Sequence, residues 1–157
     1  MKNLQLDQTT ARKIFKKSSE EVKEILISSF GAECFSQKIT DRIKTFEDGC
    51  EELGISNNAC RPIFDEDEDP DEIAYKKLKV IVGALNEGWI PDWNDSNQKK
   101  WYPWFNLSSG FGFSDSNYFY TAAAAGVGSR LCFRDKLTSD YAGQQFIDLY
   151  EQFLTLK

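Results

Sequence analysis

The chain has 157 residues, 41% hydrophobic and 28% charged, with a formal net charge of −6 and no histidine. That length holds about one domain with a sizeable core, and the acidic balance works against a broad nucleic-acid or anionic-membrane surface. No run approaches the roughly 20 apolar residues needed to cross a bilayer, and Met1-Lys2-Asn3-Leu4-Gln5 opens without the apolar region of a signal peptide; a cytoplasmic location and no membrane are expected.

Gln8–Lys17 reads as a short helix with Ala11, Ile14 and Phe15 on one face. Ser18 followed by Glu21 fits a capping box that opens a second helix through Phe30, with Gly31 as its stop. Thr40 can cap a third, with Ile43, Phe46, Cys50 and Leu53 on one face and Gly54 at the end. Asn57–Pro62 reads as a turn or a single helical turn. Residues 65–70, Asp-Glu-Asp-Glu-Asp-Pro, read as an acidic exposed linker within one 1–157 domain. A long helix then spans Asp71–Glu87, apolar over a wide arc, with Asp71 and Glu72 at its positive end.

After Gly88 the composition changes. All four tryptophans and seven further rings lie between Trp89 and Tyr120, interrupted by Pro91, Pro103, Asn, Asp, Ser and Gly. Trp101–Leu107, Phe111–Phe113, Asn117–Thr121 and Arg130–Phe133 read as short strands, with turns at Ser109-Gly110 and Ser114-Asp115-Ser116. Ala122–Gly128 fits either a helical turn or a tight crossing. Thr138 or Ser139 caps a last helix through Leu154. The fold class expected is α+β, with helices packed around a small antiparallel sheet formed mainly by the aromatic-rich second half. Trp101 or Trp104 is expected to pack against the 71–87 helix.

The absence of histidine excludes a histidine-based triad, a histidine-ligated metal and the ordinary neutral-pH proton shuttle. Cys34, Cys50, Cys60 and Cys132 have no close Cys-x-x-Cys spacing and read as free, largely buried thiols. Asp65, Asp67, Asp69 and Asp71 alternate like the start of a calcium loop, but Pro70 and Lys76 stand where the EF-hand needs Gly and Glu. Gly110-Phe111-Gly112 and Gly126-Val127-Gly128 lack the phosphate-loop spacings. Lys99, Lys100, Arg130, Arg134 and Lys136 could grip a phosphate beside the aromatics, though Asp92, Asp95, Asp115 and Asp135 are interleaved with them. Paired carboxylates among Asp92, Asp95 and Asp115 stay formally open for glycoside chemistry. No catalytic residue, cofactor or metal is expected.

Three phrases, ITDRIKTFEDGCEELGI (Ile39–Ile55), EGWIPDWNDSNQKKWYPWF (Glu87–Phe105) and GSRLCFRDKLTSDYAGQQF (Gly128–Phe146), together resemble a family met in gut Bacteroidota and their phages or prophages. That family brings no activity, ligand or catalytic residue. The resemblance implies a phage or mobile-element origin and gives weight to a virion or accessory role, with a virion location beside the cytoplasmic one. The function expected is thus a non-enzymatic interaction or structural protein, with a protein partner or self-association favoured over nucleic acid. The alternative is a small-ligand or glycan-binding module using Trp93, Trp101, Tyr102 and Trp104 of the aromatic segment 89–120.

Overall fold

A computed structural model describes residues 6–55, 68–108 and 110–155. The chain divides into two compact units, Met1–Arg42 and Ile43–Lys157, a division the sequence reading did not draw.

The first unit holds α1 (Gln8–Phe15), α2 (Glu20–Phe30), α3 (Glu33–Ser36) and α4 (Ile39–Arg42). Asp7 caps α1, its carboxylate accepting from the Thr10 N–H at 2.7 Å and the Thr10 hydroxyl at 2.8 Å. The expected capping box at Ser18 does not form. The Ser18 hydroxyl donates back to the Ile14 carbonyl at 2.8 Å, finishing the previous helix, and Ser19 stands at the α2 N-cap without a side-chain bond. Gly31, at φ 81°, ends α2 as expected. Phe15 stacks on Phe35 with ring centroids 4.3 Å apart, and Arg12 donates to the Cys34 carbonyl at 2.9 Å, so α1 and α3 are joined by a ring contact and a hydrogen bond.

In the second unit the helix expected from Thr40 to Leu53 proves to be broken; α5 covers only Phe46–Leu53. Thr45 forms a complete capping box there: its hydroxyl accepts from the Asp48 N–H at 3.1 Å, and the Asp48 carboxylate accepts from the Thr45 and Lys44 N–H groups at 2.8 and 2.9 Å. Local side-chain bonds outcompete helix continuation. The carbonyls freed by the break are used elsewhere: Ile43 accepts from the Tyr141 hydroxyl at 2.6 Å and Lys44 from the Gln145 amide at 2.9 Å.

Of the expected acidic linker, residues 65–67 lie outside the described residues, as does the 57–62 turn. Glu68 departs from the expectation. Its side chain is only 9% exposed and paired with Lys76, nearly two turns into α6 (Pro70–Leu85). Asp69 occupies the N-cap and Pro70 the first helical position, where a missing N–H costs nothing. α6 buries Ala74, Leu78, Ile81, Val82, Ala84 and Leu85, and it packs against α5 and the C-terminal helix α8 (Ile147–Leu154). It is the central helix of this unit, as its wide apolar arc predicts.

The sheet has two antiparallel strands, β1 (Lys100–Asn106) and β2 (Gly112–Phe119), with a register shift between Trp104 and Phe105. Two expected short strands merge into β2. Ser114-Asp115-Ser116 is therefore strand, not turn: Ser116 points inward and donates to the buried Ser139 hydroxyl at 2.8 Å. Residues 130–133 contribute only an isolated bridge, with Trp101 and Phe133 exchanging backbone bonds of 2.9 and 2.7 Å. Residues 122–124 are irregular and exposed and lead into a turn at 125–130, with half-buried Val127 and Gly128 both donating to the Ala124 carbonyl.

α7 (Lys136–Gln145) lies against both strands. Its cap is Asp135, one turn before the expected Thr138 or Ser139, because the Asp135 carboxylate accepts from the Thr138 N–H at 2.8 Å. Phe146, at φ −113° and ψ 31°, then separates α7 from α8. The close approach of α7 to the sheet depends on Gly143. A Cβ there would meet the Phe113 ring and stand 2.8 Å from the Pro103 Cβ.

The cysteines also differ from expectation. Cys34 and Cys132 are free and buried, but Cys50 is disulfide-bonded, its partner lying outside the described residues. Wide spacing in sequence sets no limit on spacing in the fold, which is why the pattern did not reveal it. No helix of the described residues is long and apolar enough to cross a membrane.

Candidate functional site

The four residues named from sequence as a recognition surface do not act together. β1 places Tyr102 and Trp104 toward one apolar cleft, with ring centroids 6.2 Å apart. Tyr102 stacks on Phe119 at 4.3 Å and is buried, and that burial raises its phenol above the ordinary range. Trp104 is 56% exposed, so it is not the core ring expected against the long helix. Trp101 packs edge-on against Tyr118 at 4.8 Å, with the Lys99 ammonium 5.6 Å from its ring. Trp93 sits on the loop before β1, its indole N–H donating to the Ser129 hydroxyl at 2.5 Å. Neither Trp93 nor Trp101 lines the cleft.

The cleft encloses about 230 Å³. One wall is the end of β1, Tyr102 to Phe105 with Leu107; the other is the last turn and a half of α8, Tyr150, Phe153 and Leu154. The 124–131 turn closes it with Gly126, Val127 and Leu131. The sequence marks the α8 residues only as part of a last helix, because a stripe at helical spacing looks the same whether a neighbour or solvent covers part of it. Leu107 and Leu154 stand 60% and 41% exposed there. At the cleft, Tyr150 is buried beside the Phe105 ring at 4.8 Å, and its hydroxyl has no hydrogen-bond partner among the described residues. Loss of solvent pushes that phenol far above its ordinary range, so it stays a neutral donor.

The remaining candidates for chemistry are accounted for by structure. Asp92 and Asp95 each accept a backbone N–H two residues on, from Asn94 at 2.9 Å and Asn97 at 2.8 Å; they shape the loop. Asp115 is bonded to Lys136 at 2.6 Å, which holds its carboxyl below the ordinary range, as an acid catalyst would not be. Burial pushes the Cys132 thiol up to about 11, so it is a poor nucleophile near neutrality. No group of acids and cysteines among the described residues is arranged to hold a metal ion.

The basic group separates as well. The Lys100 ammonium is fully buried, donating to the Asp95 and Gln98 carbonyls at 3.0 and 2.9 Å and lying 5.4 Å from the Trp93 ring. Arg134 pairs with Glu87 and Asp135, and Lys136 with Asp115 and Asp140. Lys99 lies 4.4 Å from the Tyr118 ring. Compared with protein-family models, curated proteins and solved structures, the chain matches none.

Proposed function

We propose that the 43–157 unit is a non-enzymatic interaction module whose apolar cleft receives an apolar side chain from a protein partner. The observation that carries this reading is the cleft's composition: rings and aliphatic groups on every wall, with Trp104, Leu107 and Leu154 left exposed beside it. Contiguous exposed apolar surface with a pocket at its centre suits the aromatic or aliphatic anchor of a protein interface. At about 230 Å³ the space is below the ~300 Å³ at which small-ligand pockets begin, and one or two side chains would fill it. A glycan is favoured less. Sugars need several donors and acceptors, and the two tyrosine side chains at this cleft are buried.

Panning a random peptide library against the wild-type chain and the Gly126→Trp variant tests this. Gly126 lines the cleft and a Cβ there meets nothing within 4 Å, so a side chain added at this position starts in open space at the cleft. Peptides sharing an aromatic or aliphatic anchor are expected to bind the wild type and to lose at least about tenfold in affinity to Gly126→Trp. Enrichment without such an anchor, or binding that survives the plug, would overturn the reading. A wild-type dimer dissociated by Gly126→Trp would identify a second copy as the partner.

The phage or mobile-element origin implied by resemblance belongs to the same proposal. Of the two locations it leaves open, the Cys50 disulfide fits oxidising surroundings, such as those of a virion, better than a reducing cytoplasm. Alkylation in denaturant without reductant is expected to label Cys34 and Cys132 and to spare Cys50.

A further inference from the structure

A second cleft, of about 370 Å³, lies along the C-terminal half of α6, the 86–91 turn and residues Ser129–Arg130. Its polar groups are all of one kind. Lys79 has its ammonium 4.7 Å from the Tyr75 ring and no carboxylate partner among the described residues. Arg130, exposed, has neither an ion pair nor a hydrogen bond among them. The Ser129 oxygen accepts from Trp93, which leaves its own O–H to donate. Trp89 is half-buried in the wall, and its indole N–H has no acceptor among the described residues. Asn86, the remaining polar residue, is already spent on the Cys132 carbonyl at 2.8 Å and the Arg134 N–H at 3.2 Å. No acid lines this cleft. The arrangement stands out in a chain of net charge −6 in which Lys100 is buried and Arg134 and Lys136 are ion-paired.

We infer that this cleft binds a small planar organic anion, its flat body against Trp89 and its carboxylate or phosphate between Arg130 and Lys79. Two cations and two uncommitted donors with no competing acid select an acceptor-rich anion. A half-exposed indole supplies a face for a flat apolar group, and the guanidinium fork suits carboxylate and phosphate alike. Gly83, on the same stripe of α6, presents no side chain to the groove; a Cβ there would meet only the Leu53 side chain, at 3.6 Å. The inference is independent of the apolar cleft and would stand if that cleft bound nothing.

Titration of the full chain with naphthoate and with adenosine monophosphate, read by the Trp89 indole N–H resonance and by calorimetry, tests it. At least one is expected to bind at about millimolar or tighter. Naphthoate alone would identify a carboxylate ligand, adenosine monophosphate alone a phosphate ligand. Arg130→Gln and Lys79→Gln are each expected to weaken binding about tenfold, Arg130→Lys less, and adenosine or naphthalene methanol to bind far more weakly than its anion. Binding of neither anion, or binding unchanged in Arg130→Gln, would overturn the inference. Inorganic phosphate binding as tightly as adenosine monophosphate would overturn the stacking against Trp89. A random RNA that binds where adenosine monophosphate does not would overturn the small-ligand assignment.

Discussion

The two clefts of the 43–157 unit draw on one stretch of chain and come out chemically opposite. Residues 102–107 and 124–131 build an apolar space against α8; residues 89–91 and 129–130 build a donor-lined groove against α6. Residues 127 and 131 turn toward one, 129 and 130 toward the other. A turn can serve both because its side chains leave in different directions within a few residues, whereas a strand or helix commits each face to one neighbour. Aromatic content alone therefore does not locate either cleft. Trp104 and Trp89 contribute to separate surfaces, while Trp93 and Trp101 serve as packing.

Removing a wall is expected to have the largest effect. Leu131 is 2% exposed and lines the apolar cleft. Leu131→Ala is expected to cost about 2–5 kcal/mol in denaturant unfolding and to disturb both clefts through the shared turn. Trp104→Ala, at the exposed rim, should cost under about 1 kcal/mol yet abolish peptide capture. Equal costs for the two would show that Trp104 is core after all.

Lys100 and Arg130 set the same contrast among cations. Lys100→Met leaves the Asp95 and Gln98 carbonyls without their donor and is expected to cost about 1–3 kcal/mol while leaving anion affinity intact. Arg130→Gln should do the reverse. If Lys100→Met weakens anion binding as much as Arg130→Gln does, the loop carrying Trp93 belongs to the site. Tyr150→Phe removes a buried hydroxyl that has no partner among the described residues. Thermal unfolding should show it unchanged or more stable by about 1 kcal/mol; a loss of that size would reveal a partner for the hydroxyl.

The smallest effect is expected at a helix cap that lines neither cleft. At the α5 cap, burial works to raise the Asp48 carboxyl, but the Lys44 and Thr45 N–H groups and the Thr45 hydroxyl outweigh it and hold it below its ordinary 3.8. A depressed carboxyl contributes stability fully above its unfolded value and loses it as pH falls through the folded one. The Asp48 contribution should therefore persist down to about pH 4 and disappear below it. Asp48→Asn should flatten that acid limb and cost roughly 0.5–1 kcal/mol at neutral pH, with both clefts unaffected.

Sequence periodicity by itself determined the α+β class, the central helix, the stops at Gly31 and Gly54, and the location of the strands in the aromatic half. These follow from local rules: apolar spacing, glycine in left-handed backbone, and β-propensity between turn residues. Tertiary structure decided where those rules tie. Both Ser18 with Glu21 and Thr45 with Asp48 offer a cap, and only the second forms a box. Nothing local distinguishes a helix running through residues 43–45 from one interrupted there with its carbonyls given to Tyr141 and Gln145. Gly143 looks like a weak point in a helix until Pro103 and Phe113 stand against it. Neither cleft was legible either, since each is assembled from segments separated in sequence: 102–107, 124–131 and 150–154 for one, 79–91 and 129–130 for the other. A pattern along the chain reports which residues are apolar or charged; only the fold reports which of them lack a neighbour.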